Sequence, residues 1–201
     1  MYNTDKYINK IQKNSDLLRC FIAIPIESVI QKQISNLQKQ LLINVPTLTL
    51  VKPQNIHITL IFIGNINTIQ IEQTKALLTE CSNNFKNFNL KFEGLGAFPN
   101  IHTAKVIWIG IAAQNNTIFE LQNFLEEKLL KQNMINKKER FTPHITIARN
   151  KQHQAYNPIY KYLQKHKDTV LGQYTINTIT LNSSILTATG PIYSTLYQIH
   201  L

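Results

Sequence analysis

Residues 51–64, VKPQNIHITLIFIG, and residues 139–149, ERFTPHITIAR, decide how this chain is read. Each holds His-Ile-Thr followed by an aliphatic residue, His57-Ile58-Thr59-Leu60 and His144-Ile145-Thr146-Ile147, with a proline shortly upstream (Pro53, Pro143). The β-branched and apolar content of both stretches predicts strands. Strand side chains alternate between faces, so His57 and Thr59 share one face, with Ile58 and Leu60 on the other. The same parity sets His144 beside Thr146, opposite Ile145 and Ile147. Each copy thus offers an imidazole and a hydroxyl above an apolar floor. The copies lie 87 residues apart, close to half the chain. That spacing predicts two similar lobes whose polar faces meet across a cleft.

On either side of these motifs the chain alternates between further elements. Residues 19–26 (RCFIAIPI) predict a strand, and the apolar spacing of Val29, Ile30, Ile34, Leu37 and Leu41 predicts an amphipathic helix over 27–43. Strands are expected at 48–51 and 56–63, followed by a helix over 68–84 with Thr68 as its N-cap. Further strands are expected at 88–98, 104–111 and 141–148, with a helix over 116–133. A short helix at 158–166, a strand at 170–181 and a hairpin over 184–201 turned at Thr189-Gly190-Pro191 complete the reading. Strands outnumber helices and βαβ alternation is absent, which predicts an α+β fold with largely antiparallel sheets. Residues 1–18, polar and rich in Lys and Asn, read as an N-terminal extension, leaving 19–201 as the folded unit.

With 43% apolar and 16% charged residues, the 201-residue chain is globular rather than disordered. The net charge of +10 favours an anionic partner. Residues 128–167 contain ten basic side chains against Glu139 alone, so the excess brackets the second His-Ile-Thr copy. Charge runs are often only solvated surface, but here they suggest a rim. Cys20 and Cys81 cannot build a disulfide framework and sit in no Cys/His cluster. No apolar run reaches the roughly 18 residues of a membrane-spanning helix, and residues 1–18 lack a signal peptide's apolar run. A soluble, cytoplasmic, monomeric protein is expected.

Imidazole, with an unperturbed pKa of about 6.5, donates or accepts a proton near neutrality. With two of them, one can take a proton from an attacking oxygen while the other gives one to a leaving oxygen. The adjacent threonine hydroxyls can bind the non-bridging oxygens of a phosphoryl group between them. No Cys or carboxylate accompanies the histidines, so the motifs are poor metal ligands and neither a metal nor another cofactor is expected.

The paired HxT motifs resemble the two-histidine phosphoesterase superfamily, within it the bacterial and archaeal RNA 2′,3′-cyclic phosphodiesterase branch, also called the 2′-5′ RNA ligase family. Residues 19–26, 51–64, 92–100 (FEGLGAFPN), 105–111 (KVIWIGI), 139–149 and 184–196 (SILTATGPIYSTL) carry the resemblance in order. It implies a bilobal α+β fold of two antiparallel sheets related by a pseudo-twofold axis, with helices outside and a central cleft. It implies hydrolysis of RNA 2′,3′-cyclic phosphate ends, tRNA fragments being candidate substrates, to 2′-phosphomonoesters. It also implies joining of 2′-5′ linked ends. On that pattern His57 is the proton donor, His144 the proton acceptor, and Thr59 and Thr146 bind phosphate. Arg149 matches the arginine expected to help hold phosphate. Ideal strand parity turns Arg149 away from His144, unless a bulge or the strand's end redirects it. Phe141 reads first as a core aromatic and second as a platform for the terminal base. One departure is Leu60-Ile61-Phe62, where relatives frequently carry a lysine. Two alternatives stand beside this reading. One is a phosphodiesterase for a small cyclic nucleotide or another cyclic phosphate, and the other a non-catalytic RNA-binding module.

Overall fold

Among the described residues nine strands run antiparallel to their neighbours, in the order β7-β4-β5-β6-β3-β1-β8-β9, with β2 added on β6. The computed structural model describes residues 17–113, 115–138, 140–151, 157–188 and 190–201. In chain order these are β1 (Leu18–Pro25), α1 (Ser28–Asn44), β2 (Thr49–Leu50), a 3-10 turn (Pro53–Asn55), β3 (His57–Ile66), α2 (Thr68–Asn84) and β4 (Phe88–Phe98). Then follow β5 (Val106–Ala113), α3 (Thr117–Lys131), β6 (His144–Arg149), α4 (Asn157–Lys165), β7 (Val170–Ile176), β8 (Thr178–Thr187) and β9 (Gly190–His200).

The two expected sheets are two four-strand halves, β9-β8-β1-β3 and β6-β5-β4-β7, joined into one curled sheet at the β3/β6 seam. The register there is Ile58 opposite Ile145, so the central residues of the two motifs face each other across the pseudo-twofold. The succession β1-α1-β3-α2 is matched by β5-α3-β6-α4. One face of the sheet, carrying Ile22, Ile24, Ile58, Ile107, Ile109 and Ile145, forms a single core with the helices. Buried Ile30, Ile34, Leu37 and Leu41 of α1, and Ile118, Leu121, Leu125 and Leu129 of α3, supply the helical side of it. Burying an aliphatic side chain of this kind is worth about 1.5–3 kcal/mol. Cys20 and Cys81 are packed in this core, where burial pushes their thiols up to about 11 and about 12. Both are therefore unreactive thiols.

Several boundaries differ from the expectations. Leu18, assigned to the extension, already pairs with Ile66 in β1; residues 1–16 lie outside the described residues. The N-cap of α2 is Asn67, not Thr68: its side chain accepts from Gln70 N, and Gln70 returns the bond to Asn67 N. This reciprocal pair satisfies two helix-end donors where Thr68 satisfies none, a contribution of about 1 kcal/mol. The strand expected at 170–181 breaks at Asn177, because β7 pairs with β4 in one half and β8 with β1 in the other. In the C-terminal hairpin, Thr189 lies outside the described residues, while Gly190, with φ of 117°, and Pro191 begin β9. Among the described residues no helix is long and apolar enough to cross a membrane.

Candidate active site

The face of the sheet away from the helices carries both motifs. His57 and Thr59 are half-buried there, over fully buried Ile58, and His144 and Thr146 repeat the pattern over Ile145. Antiparallel pairing about Ile58 and Ile145 brings His57 toward Thr146, and Thr59 toward His144. All four side chains therefore converge on the seam.

Each imidazole is held by the backbone two residues before it. His57 Nδ1 lies 2.8 Å from the Asn55 carbonyl, and His144 Nδ1 lies 2.7 Å from the Thr142 carbonyl. A carbonyl can only accept, so both rings donate through Nδ1 and are fixed in the same tautomer. In its neutral form each ring keeps a lone pair on Nε2. At His57 that nitrogen accepts from the Thr59 hydroxyl, 2.9 Å away. At His144 it has no hydrogen-bond partner among the described residues. Tyr193 meets His57 edge-on at 5.4 Å between ring centroids, and Phe98 meets His144 edge-on at 4.9 Å.

Burial lowers the pKa of both histidines below the usual 6.5. The backbone bonds oppose the shift; His144's charge adds to it at His57, and Arg149's at His144. Both rings are thus neutral in the free protein at pH 7. A donor–acceptor pair needs one ring protonated. The expected kcat/KM therefore rises as pH falls from 8 toward 6, with its maximum on the acid side of 6.5. A maximum above pH 7 overturns this assignment. The same shifts affect stability with a definite sign. Below pH 6.5 the unfolded chain takes up protons the folded chain resists, so stability falls as pH drops through the window below 6.5 and is unaffected above it.

Arg149 reaches the site face, and the reason is a bulge. On β5 the residues Ile107 and Trp108 are consecutive, but their partners on β6 are Ala148 and Thr146, leaving Ile147 as the extra residue. The bulge shifts the parity by one: Ile147 and Ala148 are both buried, and Arg149 returns to the side of His144. Its charge acts on both His144 and Tyr193. The first half repeats the device. On β3 the extra residue is Leu60, between the partners of Ile22 and Ala23, and the burial pattern of His57 to Phe62 matches that of His144 to Arg149. Phe62, 61% exposed, is therefore the counterpart of Arg149. One end of the pseudo-symmetric face presents a cation, and the other an aromatic ring.

Strand parity alone missed three further residues. Gln38, buried on the apolar face of α1, donates to the carbonyls of Val51 and Ile147, both at 2.8 Å. Ile147 is the bulged residue, and its carbonyl also accepts from Val51 N at 2.9 Å, so Gln38 props the bulge that aims Arg149. Asn55 gives its carbonyl to His57 and its side-chain amide to Pro191 O at 2.9 Å, docking the β8–β9 hairpin that carries Tyr193. Trp108, pseudo-symmetric to Ala23, lies over Gly96, where a Cβ would come within 2.1 Å of the indole. Polar residues at apolar helix positions, such as Gln38, were the only sequence signal for any of these.

A cleft of 860 Å³ opens from Thr59 and His144, past Phe62, Phe98 and Trp108, toward Arg140 and Phe141. Phe141 packs against the core, as its first reading expects, and also lines the cleft. The basic excess is divided. Lys137 and Arg140 line the cleft, whereas Lys128 pairs with Glu80, Lys138 with Glu127 and Lys167 with Asp168. Lys161 and Lys165 line a separate depression beside α1. Among the described residues no cluster of His, Cys, Asp and Glu is arranged to hold a metal.

Two antiparallel half-sheets joined at paired HxT strands define a two-histidine phosphoesterase. A profile of the AKAP7 2′5′ RNA ligase-like domain matches residues 20–201, and the chain belongs to that family. It is 32% identical over 180 residues to an RNA 2′,3′-cyclic phosphodiesterase of Archaeoglobus fulgidus, covering 89% of this chain and 98% of that protein. To the protein of the same description from Methanocaldococcus jannaschii it is 34% identical over 182 residues, covering 90% and 99%. The crystal structure of TT0787 of Thermus thermophilus shares the fold, with a TM-score of 0.77 at 22% identity over 92% of this chain and 98% of that one.

Proposed function

We propose that residues 19–201 act as one catalytic domain that hydrolyses RNA 2′,3′-cyclic phosphate ends to 2′-phosphomonoesters, by acid–base catalysis from the two histidines. The observation that carries this reading is the matched pair of Nδ1–H to carbonyl bonds, which holds both imidazoles on one face in the tautomer that exchanges its proton through Nε2. His144, whose Nε2 has no partner among the described residues, takes a proton from the attacking water. His57, once protonated, gives a proton to O3′ as the P–O3′ bond breaks, and the phosphate remains on O2′. Thr59, Thr146 and Arg149 bind the non-bridging oxygens, whose charge grows in the transition state. With a 5′-hydroxyl in place of water, the same step joins two ends through a 2′-5′ bond. The relatives described as RNA 2′,3′-cyclic phosphodiesterases support the substrate class. The protein works as a cytoplasmic monomer on RNA ends, tRNA fragments included.

Product analysis on a defined RNA bearing a 2′,3′-cyclic phosphate, with EDTA present, tests the proposal. The expected product is the 2′-phosphate. A 3′-phosphate reverses the roles of the histidines, and no turnover ends the enzymatic reading.

Lys137 and Arg140 line the cleft and supply its positive rim. Arg140→Glu is expected to raise KM several-fold for an oligonucleotide and much less for a cyclic mononucleotide. It should also flatten the salt dependence of oligonucleotide binding, by about 0.7 in log–log slope for a lost phosphate contact to a single strand. Equal changes on both substrates would leave the basic rim without a role in RNA binding.

A further inference from the structure

The cleft does not end at the seam residues Thr59 and His144. From Thr59 and His144 the same cavity continues between β3 and the segment before β6 to the wall of α3, where Gln122 lines it. Gln122 is only 5% exposed, on the helix face that also buries Ile118, Leu121, Leu125 and Glu126. Among the described residues its amide has no hydrogen-bond partner. The amide is not sealed in the core, for it lines the cleft and is free to pair with whatever enters it. Between His144 and Gln122 the lining includes Phe62, Phe98, Phe141 and the aliphatic Ile61 and Ile63, with Glu126 and Asn136 as further polar groups.

Aromatic walls with the amides of Gln122 and Asn136 and the Glu126 carboxylate among them, joined to a phosphate-binding seam, match a nucleobase: a flat apolar ring with adjacent donors and acceptors on its edge. An amide presents one donor and one acceptor side by side, the complement of a base edge. The cavity's volume, 860 Å³, is within the usual range for a small-ligand site. We propose that Gln122 forms the closed end of a base pocket, hydrogen-bonding the edge of the terminal base while the cyclic phosphate sits at the histidines. The proposal rests on the phosphodiesterase reading and adds a specificity-determining residue that neither HxT motif contains.

The test compares adenosine 2′,3′-cyclic phosphate with ribose 2′,3′-cyclic phosphate, which has the same reacting group and no base. Gln122→Leu and Gln122→Met keep the side-chain volume and remove the hydrogen-bonding groups. Both variants are expected to lower kcat/KM for the nucleotide by about 5- to 150-fold, the range of one well-made base contact. Turnover of the base-free ribose phosphate should stay at the wild-type level. An equal loss on both substrates, or no loss on either, overturns the base pocket while leaving the phosphodiesterase reading intact. A wild-type protein inactive on both substrates overturns that reading, and the base pocket with it.

Discussion

Replacing His144 with alanine is expected to lower turnover of RNA 2′,3′-cyclic phosphate by about 10²–10⁴-fold, and His57→Ala by a similar factor. Both side chains are half-buried on the open face of the sheet, so neither loss should unfold the protein. The two variants should nevertheless differ. If His57 protonates the leaving oxygen, His57→Ala should recover on a phosphodiester whose leaving group is already acidic, such as a p-nitrophenyl ester, because that oxygen departs without a proton. His144→Ala should not recover on that substrate, since the attacking water still lacks its base. Recovery by His144→Ala instead would exchange the assignments, and recovery by neither would remove the division of labour. The first outcome follows from the roles proposed for the two rings, which differ at Nε2: Thr59 occupies it on His57, and it has no described partner on His144.

The second large effect lies away from the histidines. Gln38→Leu removes the side-chain donor to Val51 O and one of the two donors to Ile147 O. Leaving buried carbonyls short of partners costs about 1–3 kcal/mol, a Tm drop of roughly 2–4 °C for each kcal/mol in a chain of this size. A merely structural glutamine would stop there. Because Ile147 is the bulged residue that returns Arg149 to the site face, Gln38→Leu should also raise KM for cyclic-phosphate RNA. Added to Arg149→Ala, it should produce little further increase. Gln38→Glu keeps the size and loses the donor, so it should behave like Gln38→Leu rather than like the wild type. An unchanged KM with a lowered Tm would reduce Gln38 to a packing role, and an unchanged Tm would remove even that.

The HxT strands were legible because two-residue alternation survives in the structure through His57, Ile58 and Thr59, and again through His144, Ile145 and Thr146. It fails three residues after each histidine, at Leu60 and Ile147. A bulge inserts one residue without altering the composition of a strand. Arg149 and Phe62 therefore lay on the wrong side of any count made along the chain. Gln38 is a different case. It occupies a helix position where Ile34, Leu37 and Leu41 are all buried, which is visible in sequence, but its partner Ile147 is 109 residues away. The break at Asn177 was hidden for a similar reason. Residues 170–181 are strand-forming throughout, and only their separate pairing with β4 and β1 divides them.

Asn55 and Pro191 are 136 residues apart in sequence, yet the bond between them stands next to the ring of His57. Everything His57 needs from its own strand exists as soon as that strand forms. The Tyr193 ring that covers it comes with the ninth strand, through one of the longest loop closures in the chain, and contacts of such span are slow to form. A chain folded only as far as β7 would hold both histidines and both threonines, with His57 more open to water and titrating nearer its ordinary value. The proton affinity of this one imidazole is thus a clock for the molecule's assembly. The motifs are complete before the last strand docks, and only with that docking does the ring of His57 reach its final surroundings.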